Sequence, residues 1–410
     1  MPPRSPLAPA GFPDLRPIAG VRLGATSCGI RYRGRTDLTL AILEPGTTVA
    51  GVFTLSSMPS APVDWCRTIL PQGHARGLVV NSGNANAFTG SAGKKAVEET
   101  ARAAATMIGC SPSEIYLAST GVIGEPLPFD KIVGTLPSLN QSLTDAGWEA
   151  AANGIMTTDT FPKGATRSAK IDGRGVTING IAKGSGMIAP HMGTMLGFIF
   201  TDAAIPAPVL QLMVRNANRR TFNAVTVDSD TSTSDTVLCF ATGQVPVDPP
   251  ILSAGDRRLV GFRRALEGVM TDLAQQIVRD GEGATKFVTV TVGGAQSRRS
   301  AERIARAIAD SPLVKTAVAG EDANWGRIVM AVGKSGEKAD RDRLRIAIGG
   351  IVVAENGMVR PGYEEAPVAT HMKGQEIDIE VDVGVGGGVA TVWTCDLTHR
   401  YIDINASYRS

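Results

Sequence analysis

The chain has 410 residues, more than one ordinary core requires, so two domains or one large layered domain is expected. Its 43% hydrophobic and 20% charged residues are the balance of a globular protein. The 41 basic residues against 39 acidic ones leave a net charge of +2, with no electrostatic pull toward nucleic acid. No apolar run approaches the roughly 18 residues of a membrane span. The five cysteines (Cys28, Cys66, Cys110, Cys239, Cys395) are dispersed and odd in number, and the four histidines stand singly. That spacing implies reduced thiols in a cytoplasmic protein and no metal site.

The opening residues hold no apolar signal core and read as a loose arm. Residues 38–43, 48–54 and 77–81 have the apolar runs of strands. The small polar run 81–87 reads as a loop that either turns or packs against a ligand. Residues 91–108 place Val97, Ala101, Ala104 and Ile108 on one helical face. Ser111-Pro112-Ser113-Glu114 has the form of a capping box over a short turn. A predicted strand over 116–119 runs into Thr120-Gly121. There a hydroxyl and an unhindered backbone N–H stand side by side, the donor pair of an oxyanion hole. An ordinary strand-to-loop turn accounts for the same residues. Residues 154–160 concentrate three hydroxyls around Asp159, as turns and small-molecule sites both do. Residues 170–178 and 181–183 read as a hairpin.

Residues 183–203 follow. A flexible loop, Lys183 to Gly186, runs through Pro190 and Gly193 into Thr194, ahead of an apolar strand over 195–200 bounded by Asp202. A hydroxyl at the head of a rigid strand, preceded by glycine, is a candidate nucleophile. Were the Gly193–Thr194 bond cut, Thr194 would carry its own amine as a base. A glycine turn entering a core strand is the plainer reading of the same residues.

Beyond it, a helix is predicted after Ala207 and a strand over 222–228. A polar loop over 228–236 precedes a strand over 237–240. Its alternating acids lack the Gly and terminal Glu of a calcium loop. The clearest helix, 259–278, is striped by Phe262, Leu266, Val269, Leu273 and Ile277. Glu282 sits between two glycines at the turn into a strand over 287–292, where its carboxylate can face a cleft. A second helix covers 300–309. A charged, aromatic loop over 321–327 precedes the apolar run 328–332. Late strands are predicted over 344–348, 351–354, 376–385 and 389–395. Ile377, Ile379, Val381 and Val383 alternate with acids, the mark of a sheet with one wet face. The tail, 401–410, keeps enough aromatic and apolar residues to be docked.

Several segments, in this order, resemble the ArgJ family, the ornithine acetyltransferases (glutamate N-acetyltransferases) of arginine biosynthesis. They are Ser119-Thr120-Gly121-Val122-Ile123-Gly124, Met156-Thr157-Thr158-Asp159-Thr160, Lys183-Gly184-Ser185-Gly186-Met187-Ile188-Ala189-Pro190 and Thr194-Met195-Leu196. The later pieces are Asp280-Gly281-Glu282-Gly283-Ala284-Thr285-Lys286, Asn324-Trp325-Gly326-Arg327, Cys395-Asp396-Leu397-Thr398 and Ile404-Asn405-Ala406. Each is weak alone; the ordered set, spread over nearly the whole chain, is specific.

The resemblance implies an α/β (α+β) fold of layered sheets flanked by helices, shared with self-cleaving enzymes that use an N-terminal nucleophile. It implies cleavage between Gly193 and Thr194, giving an alpha chain, 1–193, and a beta chain, 194–410, that stay together as a heterotetramer of two alpha and two beta chains. Thr194 would be the nucleophile, Thr120 and Gly121 the oxyanion-hole donors, and Thr157, Lys183, Thr194, Glu282, Asn405 and Ser410 the substrate-binding positions. The substrates would be N2-acetylornithine and glutamate. No cofactor is implied, and acetyl-CoA is a candidate co-substrate. On charge alone, Lys183 suits a substrate carboxylate and Glu282 an ammonium. The family usually has Asn-Met-Ala-Thr at the cut, whereas this chain has His191-Met192-Gly193-Thr194. Losing the methyl frees the backbone, which is expected to leave an N-to-O acyl shift open while altering its rate. His191 is either a base or a structural residue beside Pro190. Two rivals remain in view: a related aminopeptidase or amidohydrolase that passes the acyl group to water, and a non-catalytic amino-acid-binding paralogue.

Overall fold

The computed structural model describes residues 3–31, 34–189 and 195–406. They fall into two compact units. The larger holds 9–223 and 230–277; the smaller holds 3–8, 224–229 and 278–406.

The larger unit contains, in chain order, β1 (Val21–Thr26), β2 (Leu38–Leu43), β3 (Thr48–Phe53), α1 (Ala61–Ile69), β4 (Gly77–Asn84), α2 (Gly90–Ile108), β5 (Ile115–Val122), α3 (Phe129–Gln141), α4 (Trp148–Gly154), β6 (Lys163–Ile171), β7 (Arg174–Lys183), β8 (Leu196–Ala203), α5 (Ala207–Asn218), β9 (Thr236–Val245) and most of α6 (Val260–Arg279). One sheet has the order β1-β2-β4-β5 and the other β3-β9-β8-β7-β6. Side chains alternate along each strand. Leu78 and Val80 of β4 and Tyr116 and Ala118 of β5 therefore point into a core shared with Leu196, Phe198 and Phe200 of β8 and Leu238 and Phe240 of β9. Phe200 and Phe240 stack there at 5.2 Å between ring centres. The opposite face of the first sheet (Leu38, Leu40, Val79, Ile115, Leu117) packs on α2 and α3 through Ala101, Ala104, Ile132 and Leu136. On the second sheet's outer face α6 closes over Gly180, where a Cβ would meet Leu273 at 2.7 Å. The unit is thus layered helix, sheet, sheet, helix, the layered α/β arrangement expected.

The smaller unit holds β10 (Phe287–Ala295), α7 (Arg298–Ala309), α8 (Pro312–Ala319), α9 (Trp325–Lys334), β11 (Arg345–Ile348), β12 (Ile351–Glu355), β13 (Met358–Val359), α10 (Glu365–Met372), β14 (Glu376–Asp382), β15 (Gly388–Cys395) and α11 (His399–Asn405). Its six strands run β13-β12-β11-β14-β10-β15. Ile377, Ile379 and Val381 face Ile304 and Ile308 of α7 in one core, while the acids between them are exposed.

Several expectations need correction. The hairpin turns at Asp172-Gly173, not between 178 and 181: β6 and β7 pair from Lys163↔Ala182 to Ile171↔Arg174. Both turn residues have positive φ, 51° and 76°, the geometry of a two-residue hairpin turn. Asn179-Gly180 carries the same turn signal but lies mid-strand, because Asn179 is buried and bonded to Thr166 Oγ1 and the Arg16 carbonyl. Residues 222–228 are not a strand; Phe222–Ala224 form a short helical turn and Val225 only an isolated bridge to Trp393. The run 321–327 is not loop throughout, because α9 begins at Trp325 with Asn324 as its N-cap. The Asn324 side chain caps α9 by accepting from Arg327 N at 3.3 Å. The expected chain boundary at Gly193–Thr194 lies outside the described residues, as do His191 and Ser410.

Candidate active site

β4 and β5 run parallel, and their ends carry the polar segments. The run 81–84 is strand, not loop, and its asparagines close on the protein itself. Asn81 Oδ1 accepts from Ser119 Oγ at 2.5 Å and Asn81 Nδ2 donates to the Asn84 carbonyl at 2.8 Å. Asn84 Nδ2 donates to the Glu125 carbonyl at 3.0 Å. These bonds fix the strand end that bears Thr120 and Gly121. Gly121 has φ +129°, and a Cβ there would stand 2.4 Å from the Gly83 carbonyl carbon. Only glycine fits so close an approach of two backbones.

Thr120 is 2% exposed. Its Oγ1 lies 3.3 Å from Nζ of Lys183, the last residue of β7. An ammonium is donor only, so the hydroxyl oxygen accepts and its own hydrogen is left to point elsewhere. Lys183 is also buried, with Nζ 3.9 Å from Asp159 Oδ2. Asp159 is enclosed completely. Oδ1 accepts from Lys163 Nζ at 2.7 Å and from the Gly184 N–H at 2.7 Å; Oδ2 accepts from the Thr157 N–H at 3.0 Å. Burial alone would raise this carboxyl, but Lys163 and then Lys183 hold it well below the usual carboxylate range. Asp159 therefore joins the chain around Thr157, the end of β7 and Lys163 into one charge-assisted knot.

The residue that follows the candidate nucleophile is equally constrained. The Met195 N–H donates to Asp235 Oδ1 at 2.9 Å, and the Thr236 N–H donates to the Met195 carbonyl at 3.1 Å. Burial pushes the Asp235 carboxyl well above the ordinary value, against the pull of the Met195 amide and the Lys183 charge.

In the smaller unit the segment 280–286 lies against the C-terminal segment 395–405. Asp396 Oδ1 accepts from the N–H groups of Thr285 at 2.8 Å and Lys286 at 3.0 Å. Thr398 Oγ1 donates to the Gly283 carbonyl at 2.7 Å, and a Cβ on Gly283 would meet Tyr401 N at 2.7 Å. The outcome is that Asn405 Nδ2 reaches Glu282 Oε2 at 2.8 Å. Of the tail expected to dock, 401–406 is described; it is held by polar bonds of Tyr401 and Asn405 and not by its apolar residues, since α11 buries none and Ile402 is 63% exposed.

The sequence-predicted residues thus gather in two sets, Thr120, Gly121, Thr157 and Lys183 in one unit and Glu282 with Asn405 in the other. Thr194, Gly193 and Ser410 are outside the described residues. Lys163 and Asp235 were missed. Nothing in the sequence marks Lys163, whose 0% exposure is a tertiary fact; Asp235 stood in view only as one of several acids before a strand. Among the described residues no group of His, Cys, Asp and Glu is arranged to hold a metal ion, and no helix is long and apolar enough to cross a membrane.

A sequence model of the ArgJ family matches residues 22–410. An arginine biosynthesis bifunctional protein ArgJ of Gluconobacter oxydans is 58% identical over 408 residues, covering 100% of this chain and 96% of its own. One of Agrobacterium fabrum is 57% identical, with 99% of each covered. A crystal structure of arginine biosynthesis bifunctional protein ArgJ from Bacillus halodurans is 40% identical and covers 50% of this chain and 96% of its own, with a TM-score of 0.48. With its motifs in order and the match running from residue 22 to the end, this chain belongs to the ArgJ family.

Proposed function

We propose that the protein is a cytoplasmic acetyltransferase of arginine biosynthesis that moves the acetyl group from N2-acetylornithine to glutamate. Full-length membership of the ArgJ family carries this reading. Cleavage of the Gly193–Thr194 bond gives chains 1–193 and 194–410, which remain together as a heterotetramer of two of each, and exposes the Thr194 amine.

The first half-reaction starts with that amine taking the proton of the Thr194 hydroxyl. An α-amine has an ordinary pKa near 8, which suits it to this task. Oγ attacks the acetyl carbonyl, the C–N bond breaks, and the proton passes to the departing ornithine amine. Glutamate's amine then attacks the acetyl-Thr194 ester, the acyl C–Oγ bond breaks, the amine's proton returns through the Thr194 α-amine to Oγ, and N-acetylglutamate leaves. Two donors would hold the tetrahedral oxyanion, the Thr120 hydroxyl and the Gly121 N–H. Lys183, assigned on charge alone to a substrate carboxylate, is better assigned first to Thr120. Its ammonium occupies a lone pair of that hydroxyl and leaves the O–H to donate to the oxyanion. Thr157 borders the same knot, and Glu282 with Asn405 would meet the substrate's ammonium end. Ser410 is carried as a substrate-binding position by the family motif. No cofactor takes part; acetyl-CoA is assigned as a second acetyl donor for glutamate, in keeping with relatives named bifunctional.

Intact-mass measurement of the purified protein tests the reading, with two chains expected for wild type and a single chain of 42.8 kDa for Thr194→Ala. Initial rates should be ping-pong, with acetylglutamate as product. A processed Thr194→Ala chain would refute self-cleavage, and free acetate in place of acetylglutamate would mark a hydrolase.

A further inference from the structure

β8 enters the second sheet between β7 and β9, with Leu196 opposite Lys183 on one side and Thr236 on the other. One residue earlier the regular ladder has not begun, and a side chain supplies the missing bond: Asp235 Oδ1 accepts the Met195 N–H at 2.9 Å. Asp235 is 0% exposed, and its Oδ2 has no hydrogen-bond partner among the described residues. The nearby Thr54 hydroxyl donates instead to the Ser232 carbonyl at 2.7 Å. The loop bearing Asp235 is otherwise fastened through its backbone. Thr54 N–H donates to the Asp235 carbonyl at 3.0 Å and Ser60 N–H to the Thr233 carbonyl at 2.8 Å. The fold therefore keeps this loop in place without the carboxyl. A buried carboxyl with one oxygen unpartnered is costly, and what it obtains is control of a single amide.

That amide is the one joined to Thr194. A peptide unit is planar, so the Cα and carbonyl of residue 194 share a plane with the Met195 N–H. The bonds of the Met195 N–H to Asp235 and of the Met195 carbonyl to Thr236 fix the orientation of Met195, the residue to which Thr194 is joined. We infer that Asp235 is a positioning residue for Thr194, acting through its hold on the Met195 N–H of the peptide that joins the two residues. This inference rests on the reading of Thr194 as nucleophile. Effective orientation of a nucleophile is worth orders of magnitude in rate, and small misplacements are felt in kcat.

The test compares Asp235→Asn, Asp235→Ala and Asp235→Ser in the full chain. Processing is followed by intact mass, and kcat and KM are measured for acetylornithine and glutamate. The Asn variant keeps an oxygen for the Met195 N–H, so it should be processed and hold kcat within about threefold of wild type. Ala offers no acceptor and Ser is too short to reach. Both should be processed more slowly and lose about tenfold in kcat, which corresponds to about 1.4 kcal/mol, with KM within about twofold. Ala and Ser variants with wild-type kcat would overturn the inference, and so would an Asn variant as impaired as Ala. Ala and Ser variants that fail to melt cooperatively beside a folded Asn variant would also overturn it, since the requirement would then lie in the fold. Failure of the underlying reading is seen separately, in wild-type protein that stays uncut or transfers no acetyl group.

Discussion

Asn405 Nδ2 donates to Glu282 Oε2 at 2.8 Å, and the same amide nitrogen donates to the Tyr401 carbonyl at 3.0 Å. Two residues 123 positions apart are thereby locked into one polar pair, and the pair has a backbone basis. Gly283 admits Tyr401 at a distance no side chain would allow, so α11 is seated directly on the turn that carries Glu282. A carboxylate oriented through one oxygen presents the other, the arrangement needed to receive an ammonium group.

If Glu282 receives the substrate ammonium, Glu282→Gln should weaken use of acetylornithine more than use of glutamate. Asn405→Ala leaves the charge but loses its orientation. It should raise KM for acetylornithine by less than Glu282→Gln does, roughly severalfold for a hydrogen bond worth about 1 kcal/mol. Steady-state rates with each substrate varied in turn check both. Equal losses for the two substrates in Glu282→Gln would remove the ammonium assignment.

The Thr120–Lys183 contact leads to a second expectation. Thr120→Ala should lower kcat by about 10² to 10³, the usual effect of deleting one oxyanion donor, with KM nearly unchanged. Thr120→Ser restores the hydroxyl and should recover most of the rate. A Thr120→Ala enzyme with wild-type kcat would place the oxyanion elsewhere.

What was legible in the sequence follows from where each signal resides. The α6 stripe and the alternation of β14 are local periodicities, and all five stripe residues of α6 are buried as read. Asp172-Gly173 and Asn179-Gly180 show the limit of local signals. Both are turn dipeptides, and only the bonds of Asn179 to Thr166 and Arg16, the latter 163 positions away, decide between them. Thr120-Gly121 was read as a candidate donor pair, whereas the need for glycine at 121 that the structure shows comes from its contact with Gly83, a property of strand pairing. Lys163 and Asp235 left no usable mark, because a buried charge is written in sequence like an exposed one.

Gly121→Ala should accordingly do more than perturb a hydrogen-bond donor. Its Cβ would press on the Gly83 backbone at 2.4 Å and demand a positive φ from alanine. The β4–β5 pairing would open, and a drop in melting temperature should accompany loss of activity. Unaltered melting with reduced kcat would mean the glycine serves the oxyanion alone.

The two buried carboxyls beside Lys183 should respond to pH with opposite signs. Asp159 is held below the unfolded value of about 3.9 by its lysines, so its stabilising contribution is complete above about pH 4 and is lost as pH falls through the lower folded value. Asp235 is held above that same reference by burial, so the folded state retains its proton and wild type loses stability as pH climbs through the raised value. Asp159→Asn leaves Lys163 without its carboxylate and should cost about 3–5 kcal/mol near neutrality, a deficit that narrows below pH 4. Asp235→Asn has no proton to lose, and its melting temperature relative to wild type should climb as pH is raised above about 4. Thermal melts from pH 3 to 8 would check the pair. Slopes of the same sign would mean either that burial does not outweigh the Lys183 charge at Asp235 or that Lys163 and Lys183 do not outweigh burial at Asp159.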